Sequence, residues 1–357
     1  MTTQQRPCIP RQLKYTRDNG TFFGRQSALE WIHASFVEHR IVAIYGLGGI
    51  GKTRIAVEYI YAHEKDYSSV FWVNADTNET IISSFVGLAQ QMVNCESRSF
   101  PEQSGPNFTS IVQRYNLIDP YGSVLTWANV TDRLISEVLF WLSDDHLGNW
   151  LLVLDNVDSM DEIDLPAFFP SAASGRILIT SRNPDSRQFG FGKEIGSLAE
   201  DAAVQLLLQK AGKQGECKAH ICPAMDVSDG CKEDQTAREI IQHLEYFPLA
   251  IEQAGAYIWS LQLELTTYIE QYQRDEMRLK EVFANKPPGA YPYTINTTWE
   301  VSFKAIEHRN PYAAHLLTLC GFFDPDDIPM DLFRTESTVG GMTVLIWENI
   351  TPILTSV

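Results

Sequence analysis

The sequence predicts an α/β fold in which a doubly wound parallel sheet is followed by a region made of helices. Short continuous apolar runs, typical of strands buried on both faces, alternate with amphipathic helical patterns as far as residue 200. A glycine-rich loop joins the first of these runs to a helical pattern, and beyond residue 200 the patterns are helical. Strands that alternate with helices in this way are typical of a parallel sheet with helices on both faces.

The first element is a helix in "TFFGRQSALEWIHASFVEHR", where apolar residues recur at helical spacing. Five candidate strands follow, of which the last is the weakest: "IVAIY" (41–45), "VFWV" (70–73), "WLLVL" (150–154), "RILIT" (176–180) and "EIGSL" (194–198). The segments "RIAVEYIYAHEK" and "TDRLISEVLFWLS" predict helices between them. "CESRSFPEQSGPNFTS" is rich in Ser, Pro and Gly and predicts an inserted loop. Large aromatic residues such as Tyr59 and Trp150 fall on element faces, which indicates core packing.

Composition and pattern divide the chain into four segments. Residues 1–20 form a polar N-terminal linker, and residues 21–200 form the α/β domain. Residues 201–285 form a helical domain, and residues 286–357 a further segment that starts with a small helical unit. The boundary between the last two lies at "NKPPGAYPY" (285–293), which is a linker by composition.

Charge and cysteine content limit the classes of partner. The 357-residue chain has a formal net charge of −17, which argues against binding duplex DNA or an acidic membrane. We find no secretory signal and no apolar run long enough to span a membrane. Six cysteines do not suggest a disulfide framework, and "ECKAHICPAMDVSDGC" lacks a standard zinc-ligand spacing. We therefore predict a cytoplasmic protein without nucleic acid partners or a membrane span.

The loop "GLGGIGKT" (46–53) matches the phosphate-binding pattern G-x-x-x-x-G-K-[ST] at every fixed position. We expect Gly46, Gly48, Gly49 and Gly51 to allow positive φ angles, so that backbone N–H groups surround an anion. Lys52 places an ammonium at the β- and γ-phosphates, and Thr53 offers a hydroxyl to Mg²⁺. The flanking buried strand and amphipathic helix favour this interpretation over a plain strand-to-helix turn.

A second metal ligand is expected at the end of a buried strand in "NWLLVLDNVD". Asp155 suits Mg²⁺, directly or through water, although an aspartate there can also be a helix cap or a turn residue. The next position, where many ATPases of this class have a carboxylate that activates water, is Asn156. An amide can orient a water molecule but cannot take its proton. Asp158 is a candidate substitute base or an ordinary turn residue, so we predict slow turnover at most.

Arg182 follows the predicted strand in "GRILITSRN". Ligands of such sheets bind at the carboxyl ends of the strands, so this guanidinium can reach a γ-phosphate. The alternative is a solvated arginine that happens to follow a strand.

Five segments in this order resemble the NB-ARC module of NOD-like receptors and STAND NTPases, and the fungal versions most of all. They are "FFGR" (22–25), "GLGGIGKT", "LLVLDNVD" (151–158), "ILITSRN" (177–183) and "FPLAIEQAGAYI" (247–258). The resemblance implies a P-loop nucleotide-binding domain over 21–200 and an ARC1-like helical domain over 201–285. "WEVSF" and "LCGFFDPDDIP" resemble the start of a winged helix, which makes 286–357 an incomplete ARC2 segment.

The resemblance also implies roles for single residues. Phe23 and Arg25 would contact adenine and ribose, Arg182 would sense the γ-phosphate, and Pro248 would cover the base. On sequence alone, the first position of a helix is the favoured explanation of Pro248, and the two roles are compatible. Further implications are ADP or ATP with Mg²⁺ as ligands, self-association through the nucleotide-binding domain, and effector and sensor regions outside this chain.

The sequence departs from the family pattern at two places. The family's glycine before the proline is Tyr246 here, and the family's Met-His-Asp segment is not found before the chain ends at "TPILTSV". We therefore expect a fragment or truncated product of a larger receptor. The function expected is a nucleotide switch for signalling of the innate-immunity or self/non-self recognition type. The alternatives are a turnover ATPase or small-molecule kinase, and an inert interaction scaffold.

Overall fold

The computed structural model describes residues 22–98, 131–143, 148–171, 175–213, 228–282, 293–323, 338–339 and 342–343. Contacts along the chain divide it into two units, Met1–Gly196 and Ser197–Val357. Among the described helices, none combines the length and the apolar character that crossing a lipid bilayer requires.

The first unit alternates strands with helices, as the sequence predicts. Its elements are α1 (Gln26–Glu38), β1 (Ile41–Tyr45), α2 (Lys52–Ala62), β2 (Ser69–Asn74), α3 (Asn78–Arg98), α4 (Thr131–Leu142), β3 (Trp150–Asp155), β4 (Arg176–Ser181) and β5 (Phe191–Glu194). Two short 3₁₀ helices, Leu165–Phe168 and Pro184–Gln188, lie on either side of β4 in the chain.

The five strands form one parallel sheet in the order β2-β3-β4-β1-β5. The first four apolar runs are strands where the sequence predicts them, but the prediction of a strand at 194–198 is wrong. The fifth strand is Phe191–Glu194, which pairs with β1 from Val42↔Phe191 to Tyr45↔Glu194. This strand is at the edge of the sheet, and its residues are exposed or half-buried. It therefore carries no continuous apolar run for sequence analysis to find.

One large apolar cluster packs α3 and α4 against the strands. It includes Phe85 from α3, Val138 from α4 and Trp150 at the start of β3, all buried. Tyr59 of α2 is also fully buried, so the core assignments of these two aromatic residues are confirmed. A Cβ atom added at Gly175 would lie 2.0 Å from the Trp150 ring, so this position requires glycine.

Helix α3 corrects the predicted inserted loop at its start. The helix continues to Arg98 and includes "CESR", because its 21-residue amphipathic pattern extends past the first polar residues of that segment. The rest of the predicted loop, residues 99–110, contains no described residue.

The second unit consists mainly of helices. They are α5 (Glu200–Lys210), α6 (Ser228–His243), α7 (Pro248–Leu261), α8 (Leu265–Val282), α9 (Tyr293–Arg309) and α10 (Pro311–Cys320). Two-residue strands β6 (Thr338–Val339) and β7 (Met342–Thr343) pair antiparallel. A Cβ atom on Gly255 would lie 2.4 Å from Cβ of Lys210, so α7 approaches α5 closely at this glycine. The predicted 285–293 linker lies almost wholly outside the described residues, as do most of the Cys217–Cys231 segment and most of 324–357.

Candidate functional site

The phosphate loop connects β1 to α2 and has the backbone that its sequence predicts at three of four glycines. Gly46, Gly49 and Gly51 have φ angles of +151°, +80° and +96°, whereas buried Gly48 is not in this region. A Cβ atom at Gly46 would lie only 2.5 Å from the carbonyl oxygen of Ile195. Gly46 is therefore required by packing as well as by conformation, and the expected positive φ at Gly48 is wrong.

The side chain of Lys52 hydrogen-bonds to the backbone of the phosphate loop. Its Nζ atom donates to the carbonyl oxygens of Gly46, at 2.9 Å, and Leu47, at 3.0 Å. The residue is 6% exposed. Burial lowers the pKa of this ammonium, a shift that the nearby carboxylates of Asp158 and Asp155 oppose. A buried cation next to backbone amides at a helix N-terminus is suited to binding phosphate oxygens.

Asp155 ends β3 and lies against the start of α2. Its Oδ1 atom accepts hydrogen bonds from Thr53 Oγ1 at 2.9 Å and from Thr180 Oγ1 at 2.5 Å. Asp155 is 2% exposed and Thr180 is fully buried. The predicted pair of a P-loop hydroxyl and a strand-end carboxylate is thus in contact in this structure. Hydroxyl and carboxylate oxygens are the donor set that Mg²⁺ prefers, so these residues fit that ion.

Asn156 adopts the left-handed conformation, with a φ of +62°. Its backbone N–H donates to Thr180 Oγ1 at 3.1 Å, so Thr180 connects the ends of β3 and β4. Asparagine and aspartate tolerate this conformation better than other residues with a side chain. The position after Asp155 is therefore accessible to an amide or a carboxylate, and this chain has the amide.

Asp158 is engaged by Arg182. Its Oδ1 atom accepts the backbone N–H of Arg182 at 2.5 Å, and its Oδ2 atom pairs with Arg182 Nε at 3.0 Å. Ser181 Oγ lies 3.4 Å from Oδ1 and donates to the carbonyl oxygen of Val157. Both oxygens of Asp158 thus contact Arg182, which follows β4, and the role of this carboxylate as a substitute base stays a prediction.

The two candidates for adenine and ribose contacts precede α1. Arg25 donates from Nη2 to the carbonyl oxygen of Ile50 at 3.1 Å, which ties it to the phosphate loop. Burial lowers the pKa of this guanidinium. Phe23 is half-buried in the same segment. The structure therefore places Arg25 of "FFGR" in contact with the phosphate loop.

Pro248 lies in the second unit and begins α7, as the helix-start interpretation predicts. In the turn before it, Glu245 and Tyr246 have φ angles of +52° and +59°. Tyr246 thus adopts the left-handed backbone for which glycine is best suited. Its carbonyl oxygen accepts the N–H of Leu198 at 3.0 Å.

Sequence analysis assigned no role to two residues beside the carboxylate of Asp155. Thr180 connects it to Asn156, and Asn74 is paired with Asp155 in the β2–β3 register. The Oδ1 atom of Asn74 is buried and has no hydrogen-bond partner within the described part of the chain. If Asp155 holds a metal ion, this amide oxygen at the end of an apolar strand is suited to accept from a water on that ion. The signal in the sequence is the polar residue that ends "SVFWVN".

Comparison with known proteins identifies the same module. The family model described as the NB-ARC domain matches residues 26–217. A nucleotide-binding leucine-rich repeat (NLR)-like protein of Hyaloscypha variabilis is 25% identical over 354 residues, covering 89% of this chain. Disease resistance protein RPP8 of Arabidopsis thaliana is 22% identical over 271 residues, covering 71% of this chain. The chain spans 31% of the fungal relative and 25% of the plant one.

Solved structures with partial likeness include two archaeal proteins. A Walker-type ATPase of Pyrococcus abyssi has a TM-score of 0.43 at 12% identity, covering 85% of this chain and 81% of its own. A STAND protein with a tetratricopeptide repeat sensor from Pyrococcus horikoshii has a TM-score of 0.39 at 14% identity, covering 93% and 49%.

Proposed function

The chain belongs to the NB-ARC family of P-loop NTPases, and from this premise we propose that it is an ADP/ATP-dependent molecular switch. In this proposal the bound nucleotide selects between two conformations, and exchange of ADP for ATP favours the open, self-associating one. A ligand can shift such an equilibrium only through its different affinities for the two states. One relative of the chain is an NLR-like protein and another is a disease resistance protein, which supports signalling of the innate-immunity or self/non-self recognition type.

The observation that carries the proposal is Asn156 together with its two neighbouring carboxylates. Asn156 cannot take a proton from water. Asp155 accepts from Thr53 and Thr180, and Asp158 Oδ1 accepts the backbone N–H of Arg182, a bond that does not involve the Arg182 side chain. These contacts favour a site that retains its nucleotide over one that hydrolyses it rapidly.

The remaining site residues have binding roles in this proposal. Lys52 and the loop amides hold the phosphates, while Phe23 and Arg25 contact the adenine nucleoside from the segment before α1. Thr53 and Asp155 hold Mg²⁺, which supplies positive charge at the β- and γ-phosphates when bound. Pro248 covers the base, and effector and sensor regions are expected outside residues 1–357.

Arg182 is proposed to distinguish ATP from ADP by exchanging its Asp158 partner for the γ-phosphate. Its side chain is 57% exposed, so it can change partner without leaving a buried site. We expect Arg182→Gln to weaken binding of a non-hydrolysable ATP analogue about tenfold, the effect of losing ~1.4 kcal/mol, and to leave ADP affinity within about twofold. Isothermal titration calorimetry with both ligands in MgCl₂ measures this difference.

Arg187→Gln is the matched control for Arg182→Gln, because Arg187 is an exposed arginine a few residues further along. It should leave both affinities unchanged. Equal losses for ADP and the ATP analogue in Arg182→Gln would show that Arg182 does not sense the γ-phosphate.

The switch proposal is tested by denaturing the purified chain and identifying the nucleotide that it releases. We expect ADP in a ratio approaching one per chain, together with steady-state ATP turnover well below ~1 s⁻¹, the lower end of ordinary enzymes. Turnover above that rate would instead favour the ATPase or kinase alternative. An empty chain that shows no thermal shift with Mg-ADP would favour the scaffold alternative.

A further inference from the structure

We propose a second, separate cation site for a transition-metal dication of the zinc class, in which His33 and His63 supply the ligand nitrogens and Asp66 orients His63. His33 lies on α1, and the other two follow the end of α2. One ligand atom from each residue lies within 4.8 Å of the others. The helix between Lys52 and His63 is 11 residues long and spans about 16 Å, so this site is distinct from the phosphate loop.

His63 is the pre-organised ligand of this site. Its Nδ1 atom hydrogen-bonds to Asp66 Oδ2 at 2.8 Å, and the backbone N–H of Asp66 donates to the His63 carbonyl at 3.0 Å. Its ring also packs on Tyr59, with centroids 4.6 Å apart. When the carboxylate accepts from Nδ1–H, the lone pair remains on Nε2. A histidine oriented by a carboxylate in this way is the usual arrangement around protein-bound zinc.

His33 supplies the second nitrogen. Its ring stacks on His63 with centroids 4.1 Å apart and planes inclined by 14°. Stacked rings direct their lone pairs nearly parallel, so binding one cation requires His33 to rotate towards it. Two nitrogens on the same zinc ion, each about 2.1 Å from it, lie at most about 4.2 Å apart. His33 is exposed on its helix, so its ring can change rotamer at the surface.

The ligand types decide the class of cation. Imidazole nitrogens suit zinc, copper and nickel, whereas Mg²⁺ and Ca²⁺ prefer oxygen ligands. The site is therefore selective against the Mg²⁺ that accompanies nucleotides. Occupancy would cross-link α1 to the end of α2, and it would stabilise the folded chain because the unfolded chain lacks the arranged ligands.

The test is a calorimetric titration of ZnCl₂ into the full chain after chelator treatment, with MgCl₂ as the comparison ion. The background replaces Cys217, Cys222 and Cys231 by serine, so that these thiols cannot bind the added zinc. We expect one zinc ion per chain that requires His63, and a thermal midpoint that rises with ZnCl₂ but not with MgCl₂.

The variants separate a built site from general surface binding. We expect His63→Gln and His33→Gln each to weaken zinc binding at least about tenfold, and Asp66→Asn to weaken it about 10- to 100-fold through loss of orientation. His315→Gln, an exposed histidine of the second unit, should leave the titration unchanged. An unchanged zinc affinity in either histidine variant, or equal binding of MgCl₂ at the same site, would overturn the proposal.

Discussion

Lys52→Ala is expected to abolish useful nucleotide binding, with ADP affinity reduced roughly 30- to 1,000-fold, as for other buried charged partners. The buried ammonium is held in the loop by the carbonyl oxygens of Gly46 and Leu47. A bound nucleotide would contact this ammonium through its phosphate oxygens, in place of these carbonyl oxygens or in addition to them. The measurement is the change in thermal midpoint with Mg-ADP, which the parent chain shows and the variant lacks.

Lys65→Ala provides the matched control, because Lys65 is exposed after α2 and has no place in the loop. It should keep the full ligand-dependent rise. Circular dichroism of both variants without ligand confirms that they are folded. An unchanged Mg-ADP shift in folded Lys52→Ala would remove the phosphate role from this loop and support the scaffold alternative.

Asn156→Asp is expected to increase ATP turnover about 100-fold, the lower end of what a positioned general base contributes. The change is nearly isosteric, and aspartate tolerates the left-handed backbone of φ +62° at this position. A carboxylate can accept the proton that the amide cannot. Phosphate release at saturating ATP is the measurement, so that an altered affinity does not enter the comparison.

Asn183→Asp is the control for added charge. Asn183 lies next to Arg182, and its side chain accepts the N–H of Asp185 at 2.9 Å, a role that a carboxylate can keep. It should leave turnover unchanged. If Asn156→Asp binds ATP but turns over no faster than the parent chain, Asn156 is not what limits hydrolysis.

Most of the parallel sheet could be predicted because its inner strands are buried on both faces. The apolar runs of β1, β3 and β4 are short and lie between glycine-rich and polar segments. Such runs are typical of buried strands. The edge strand β5 could not be located because its residues are partly solvated. The apolar residues of the neighbouring "EIGSL" therefore predict a strand a few positions too late in the chain. A strand of this kind is defined by pairing with β1, which is a non-local contact.

The phosphate loop and Asp155 could be predicted because spacing along the chain fixes their chemistry. Contacts between distant segments could not. Sequence analysis placed Asp158 and Arg182 as separate candidates, whereas the structure joins them across 24 residues. The stacking of His33 on His63 likewise depends on how α1 packs against α2. Such pairs arise from tertiary packing, which a local pattern does not encode.

The edge strand has a consequence for the behaviour of the chain in concentrated solution. Within the described sheet, β5 pairs with a strand on one side. Its other side therefore offers backbone N–H and C=O groups that could pair with a strand of another chain. Its four residues include Lys193 and Glu194, and the Lys193 ammonium lies 5.3 Å from the ring centroid of Trp31. Short edge strands with charged side chains resist the strand addition that begins β-aggregation. We therefore expect that copies of the chain do not pair through β5 at high concentration. Any ordered assembly of copies is expected to use another surface.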